Sequence, residues 1–209
     1  MKRGIVLSLL MFVAFSFSSC KSEKKADADK VNKIEAKKSI AAFSLEKASN
    51  EINFTAYKTT DKVAVGGQFK KVDITSGGEG NSIKEAINNA EFSIPVSSIF
   101  TKDTSRDFKI KKFFFGVMDK TKLLSGKLVL ENDSIGYANI KMNGITEKVA
   151  FFYTIEANTF SMNATMDITK WNASEALNSL NTVCKDLHKG ADGVSKTWSE
   201  VALNIKSTF

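Results

Sequence analysis

The chain has 209 residues, 43% of them hydrophobic and 25% charged, and carries a formal net charge of +7 from 30 Lys and Arg against 23 Asp and Glu, enough chain for one domain with a sizeable core. Its charges are interspersed rather than striped, with no Arg-rich face and no basic–aromatic motif, which argues against a nucleic-acid partner. Two cysteines and a single histidine argue against a disulfide framework, a four-ligand structural zinc site and a Ser-His-Asp set.

The N-terminus opens with Lys2 and Arg3, followed by an apolar run from Ile5 to Phe17. This is the pattern of an export signal, and it is shorter than the roughly 20 apolar residues of a bilayer span. Phe17-Ser18-Ser19-Cys20 resembles a bacterial lipobox, with Phe17 where the motif prefers Leu. Residues 1–19 are therefore expected to be a lipoprotein signal peptide, with Cys20 as the acylated residue and membrane anchor. Residues 20–40, rich in Lys, Glu, Asp and Ala, read as a polar tether. Residues 41–209 remain as the folded domain. With Lys2 and Arg3 removed, the net charge falls to +5.

Period-two alternation dominates the folded domain. Over Glu51 to Thr59, Ile52, Phe54 and Ala56 share one face, and Asn53, Thr55 and Tyr57 the other. Val63 to Thr75 continues in kind, with Gly66-Gly67 predicting a bulge or close packing. A turn cluster runs from Ser76 to Asn81. Ala90 to Phe100 holds the only proline, Pro95, which marks an edge or a kink. Further strands are predicted at Leu123 to Leu130, Ser134 to Met142, Lys148 to Glu156, Thr159 to Ile168 and Trp198 to Ser207. Asn132-Asp133, Asn143-Gly144 and Ala157-Asn158 supply the hairpin turns.

Two stretches break the alternation. Asp103 to Phe115 reads as a short helix plus an aromatic segment. Ser174 to Lys189 reads as a helix with Leu177, Leu180, Cys184 and Leu187 on one face, Asn172 and Glu175 as its capping box, and Gly190 as its stop. Without βαβ alternation, the expected fold is all-β: a closed antiparallel barrel of about eight strands with one or two short helices. A sandwich is the competing architecture. Apolar residues on both faces of several strands, and 16 Phe, fit either a cavity or a packed core.

The residues Phe54-Thr55-Ala56-Tyr57-Lys58-Thr59, Val65-Gly66-Gly67-Gln68-Phe69, Ser97-Ser98-Ile99-Phe100-Thr101, Arg106-Asp107, Phe113-Phe114-Phe115-Gly116 and Asn143-Gly144-Ile145-Thr146 succeed one another in a characteristic order. Over Ala42 to the end, the chain resembles the YceI-like family of exported lipid- or polyisoprenoid-binding barrels. Lys109 stands where the wider family often has His. The resemblance implies a lipocalin-like barrel whose apolar pore holds an isoprenoid chain with its polar head near one end, and binding rather than catalysis.

On that basis Phe54, Phe69, Phe92 and Leu128 are expected to line the pore, together with Phe113, Phe114, Phe160 and Met162. Arg106, Asp107 and Lys109 are expected at its polar end. Arg106 and Asp107 have a second reading, as an ion pair or helix cap closing the barrel; Arg106 with Lys109 and Lys112 would suit a diphosphate or other polar head. Cys184 and His188, four apart on the expected helix, would be neighbours. Their plainer reading is a buried thiol and a histidine whose charged form is favoured by a helix C-terminus. The expectation is thus a lipoprotein of the bacterial cell envelope, lipid-anchored at the outer membrane on its periplasmic or surface face. It would bind or carry a long-chain, isoprenoid lipid, without metal, cofactor or catalysis. Homodimer formation stays open, and a structural or stress-related module with a filled barrel is the alternative.

Overall fold

The computed structural model describes residues 40–209. The expected signal, Cys20 and nearly all of the expected tether lie outside the described residues. In chain order the elements are β1 (Phe43–Ser44), β2 (Ser49–Lys58), β3 (Val63–Phe69), β4 (Asp73–Ser76), β5 (Glu79–Gly80), α1 (Ile83–Ile87), β6 (Glu91–Pro95), β7 (Ile99–Phe100), α2 (Thr104–Lys109), β8 (Leu123–Leu130), β9 (Ile135–Met142), β10 (Ile145–Glu156), β11 (Thr159–Asp167), α3 (Ser174–Val183) and β12 (Thr197–Thr208).

Alternation builds the wall. On β10, Val149, Phe151 and Tyr153 are buried while Ala150, Phe152 and Thr154 face out. Trp171, Phe151 and Phe160 are the largest fully buried side chains, and Trp171 satisfies its indole N–H by donating to the Ile140 carbonyl at 2.9 Å. The strands form one curled antiparallel sheet in the order β4-β6-β8-β9-β10-β11-β12-β2-β3-β7, with β1 and β5 paired separately.

The ladder corrects the expected closed barrel of eight strands. Ten strands share the large sheet, and the end strands β4 and β7 each pair on one side only. Two of the expected strands are each broken in two. The stretch from Val63 to Thr75 divides into β3 and β4, and that from Ala90 to Phe100 into β6 and β7. Pro95 has no N–H to give a ladder, and a 3-10 turn over Val96–Ser98 follows it, closed by the Ser98 hydroxyl donating to the Pro95 carbonyl at 2.7 Å. Gln68 and Phe69 pair with Phe100 and Ile99, and the Lys70 N–H still reaches the Ser98 carbonyl at 3.0 Å. Pairing resumes at Asp73 and Ser93 in a different register.

Close packing of the wall relies on aromatic–glycine pairs across strands. Phe54 pairs with Gly67 and Phe92 with Gly126. A Cβ at Gly67 would collide with the Phe54 ring, and one at Gly126 with the Phe92 ring and the Asn139 carbonyl. Each ring lies down over its glycine, as aromatic rescue of a strand glycine requires. Phe151 opposite Gly136 repeats the pairing.

The two ends of the sheet are covered differently. At one, Ile83, Ala86 and Ile87 of α1 are buried, and the two isoleucines join Leu45, Tyr153, Phe160 and Met162 in a cluster. At the other, α2 continues into a π-helical turn over Ile110–Phe114 and a 3-10 turn over Phe115–Val117. Phe114 and Phe115 there join Trp171, Ala176 and Met142 in a second cluster, with Leu177 and Leu180 of α3 packed against it.

The expected helix from Ser174 to Lys189 is shorter, ending at Val183. Asn172 is not its cap: it closes the preceding 3-10 turn in the left-handed region at φ 53°, while Ala173 holds the N-cap position without a side-chain bond. Gly190 lies in a separate turn, its N–H donating to the Val194 carbonyl at 2.9 Å.

Candidate functional site

Three cavities run through the apolar interior toward the α2–α3 end. The deep one, about 70 Å³, is bordered by Phe92, Leu128, Phe160 and Met162, and by Leu45 and Ile87 at the α1 end. The middle one, about 140 Å³, is bordered by Phe54, Phe69, Phe114, Leu177 and Trp198, and no polar atom reaches its surface. The outer one, about 160 Å³, is bordered by Lys58, Asp103, Arg106, Lys109, Cys184 and His188. Leu203 borders both the deep and the middle cavity. Ala56, Ile110, Leu180 and Thr197 border both the middle and the outer one. Apolar space therefore leads to a mouth edged with charge.

A bulge in β12 shapes the passage. Pairing with β2 loses register between Thr197 and Val201, and a bulge re-aims side chains. Trp198 borders the middle cavity and anchors its indole N–H on the Thr59 carbonyl at 2.7 Å. Thr197 borders the mouth and donates its hydroxyl to Asn181 Oδ1 at 2.8 Å. That hydroxyl therefore accepts from His188 Nδ1–H across 2.6 Å, which leaves Nε2 of a neutral imidazole as the acceptor.

Helix α2 brings two cations to the mouth. Asp103 caps it, accepting from the Arg106 backbone N–H at 3.0 Å, and also pairs with the Arg106 guanidinium at 3.6 Å. The capping N–H, reinforced by the Arg106 charge, holds the Asp103 carboxyl below its ordinary range. Lys109 forms no ion pair among the described residues, and Lys58 Nζ reaches the Leu187 carbonyl at 2.9 Å. Burial raises the Cys184 thiol pKa against the opposing pull of Lys109, Lys58 and Arg106. Burial, and then the charges of Lys58, Arg106 and Lys109, lower the His188 pKa. This corrects the expectation that a helix dipole would favour the imidazolium: α3 has already ended at Val183, and cations replace the expected negative end.

Seven of the eight residues expected to line a pore border the deep or middle cavity. Phe113 does not. It turns away to meet Phe108 edge-on at 6.4 Å, with Lys112 Nζ over both rings, because three consecutive Phe in a helical turn cannot share a direction. Of the expected polar end, Arg106 and Lys109 are at the mouth and Asp107 is not. Its buried carboxylate accepts from the Thr101 N–H at 2.8 Å and hydroxyl at 2.7 Å, tying α2 to the end of β7.

Cys184 and His188 do meet at the mouth, across a turn in which the His188 N–H donates to the Cys184 carbonyl at 2.9 Å. Among the described residues no group of three or more His, Cys, Asp and Glu is arranged to hold a metal ion. Sequence reasoning missed Lys58 and Thr197 at the mouth, and Phe115, Trp198 and Leu203 along the passage. The pairing of Lys58 with Thr197 across β2 and β12 is the signal that brings the first two together.

A family model described as the YceI-like domain matches residues 43–209. No curated protein matches the chain. Among solved structures, a polyisoprenoid binding domain from Saccharophagus degradans, described as implicated in plant cell wall breakdown, is similar at 12% identity and TM-score 0.56, covering 80% of this chain and 98% of its own. BcnA of Burkholderia cenocepacia is similar at 13% identity and TM-score 0.51, covering 80% and 99%.

Proposed function

The chain belongs to the YceI-like family, and from that premise we propose that it binds an apolar chain, an isoprenoid or other long-chain lipid, along the passage between α2, α3 and the sheet. One observation carries this reading: a middle cavity of about 140 Å³ with no polar surface lies against a charged mouth, and Ala56, Ile110, Leu180 and Thr197 line both. Buried methylenes contribute about 0.8 kcal/mol each, so an apolar chain gains from entering and its polar head stays at the rim. The cavities are smaller than the roughly 300–1,000 Å³ of drug-sized ligand sites, so a long chain requires side chains along the passage to move aside. The description of the Saccharophagus degradans domain as polyisoprenoid binding supports the ligand class.

The test is mass spectrometry of organic extracts from protein purified out of its native membrane. Recovery of one lipid per chain is expected; extracts free of lipid across preparations overturn the reading. A second reading, a filled structural module, draws on the deep cavity, where only about 70 Å³ remains and Phe160 and Met162 are fully buried.

The proposal includes attachment to the cell envelope through Cys20, for which the sequence around Phe17-Ser18-Ser19-Cys20 is the support. Cys20→Ala is expected to release the protein from membranes or stall its maturation. Unchanged membrane partitioning with normal processing would refute the anchor and leave the lipid site standing.

A further inference from the structure

The mouth carries more positive charge than its own acids neutralise. Lys58 comes from β2, and Arg106 and Lys109 from successive turns of α2; the single carboxylate among them is Asp103. Asp103 is already engaged by the Arg106 backbone and guanidinium. Asp107, the nearest other acid on α2, is buried and held by Thr101. Counting His188 as neutral, the mouth keeps an excess of two positive charges. The Lys58 ammonium has donors to spare beyond its bond to the Leu187 carbonyl, and Arg106 reaches the Thr101 carbonyl only at 3.5 Å. A neutral hydroxyl or ketone head would leave this excess uncompensated. A phosphate monoester, with about −1.5 to −2 charge near neutral pH, matches it.

We infer that the mouth selects an anionic amphiphile, a lipid phosphate whose head lies among Lys58, Arg106 and Lys109 while its chain enters the middle cavity past Ala56, Ile110 and Leu180. This rests on the lipid reading above and adds the chemistry of the head. Arg106 offers a planar fork and the two lysines offer mobile point charges. The partial enclosure strengthens these contacts relative to water.

The test compares farnesyl phosphate, farnesol and inorganic phosphate on the full-length protein, by calorimetry and by Trp198 fluorescence, since that indole borders the middle cavity. Farnesyl phosphate is expected to bind about ten-fold or more tightly than farnesol, the scale of one charge-assisted hydrogen bond. Lys109→Gln is the variant least disturbing to the fold, because Lys109 has no ion pair among the described residues. It is expected to weaken the phosphate ester several-fold and farnesol by much less, and Lys58→Gln combined with it should remove most of the preference.

Equal affinity for alcohol and phosphate ester overturns the inference and leaves the lipid site intact. Binding of neither farnesyl compound overturns both. Inorganic phosphate binding as tightly as the ester would mean an anion site without a chain, and would also overturn the inference. A preference that survives both lysine changes in folded protein would place the head elsewhere and overturn it too.

Discussion

Phe160 separates a wall that is packed from one that borders open space. Its side chain is 1% exposed, lies over Tyr153 with ring centroids 5.3 Å apart, and borders the deep cavity of about 70 Å³. That cavity could accommodate only a couple of waters at roughly 30 Å³ each, and its lining offers them few polar partners. Phe160→Ala therefore removes a packed ring and enlarges a dry void. The expected cost is about 3–5 kcal/mol. For a domain of this size each kcal/mol lowers Tm by about 2–4 °C, so the melt should move down by roughly 6–20 °C. Phe160→Arg should be worse, because it buries a charge in a cavity that no carboxylate among the described residues borders. Circular dichroism melts and urea titrations of the two variants beside wild type give the answer. A shift below about 2 °C for Phe160→Ala, less than the lower bound for a loss of 1 kcal/mol, or a folded Phe160→Arg protein with near-native Tm, would refute a packed deep end and imply a hydrated pore.

Three further outcomes are expected. Gly67→Ala should cost about 1–3 kcal/mol in urea unfolding, because its Cβ meets the Phe54 ring; adding Phe54→Ala should cost less than the sum of the single changes, and strict additivity would show that the ring is not the obstacle. His188 has its pKa lowered by burial and by Lys58, Arg106 and Lys109, so the unfolded chain takes up its proton first. Its contribution is complete above the ordinary histidine range and is lost as the pH falls below about 6.5. His188→Gln should flatten Tm between about pH 7 and 5, the window set by that range, and an unchanged slope would argue against the shift. Cys184→Ala should cost about 1–2 kcal/mol through lost packing. Native Cys184 should alkylate slowly at about pH 7, since burial raises its thiol pKa and the thiolate is the nucleophile; alkylation as fast as a free thiol would contradict the buried placement.

Where the pattern was simple, the sequence was legible. Leu123 to Leu130 is a strand with the expected bounds. The Asn143-Gly144 hairpin has both residues at positive φ, 50° and 74°, as its turn type demands. Breaks within strands were harder to read. Pro95 signalled a kink, but local alternation does not reveal that β4 and β7 each lack a second partner. Helix α1 spans only five residues, too few for a helical period to emerge, and it folds because Ile83 and Ile87 cover the sheet end. Asn172 looked like a cap because its neighbours fit a box; its backbone instead closes the previous turn. The mouth was half legible. Arg106 and Lys109 sit together on one short helix, whereas Lys58 and His188 are distant in sequence and meet only through the pairing of β2 with β12 and the turns after α3.

The position of β12 also bears on how the chain can acquire its fold. This last strand lies between β2 and β11 and pairs with both along most of its length. Until residues 197–208 are available, β2 and β11 each present an unpaired edge, and the sheet exists only as two blocks, β2-β3-β7 and β4-β6-β8-β9-β10-β11. Joining them requires contact between segments about 150 residues apart, and such non-local pairing is slow. A chain delivered N-terminus first therefore keeps this sheet incomplete, and threadable, until residues 197–208 arrive. During that interval its open edges are exposed to pairing with other chains.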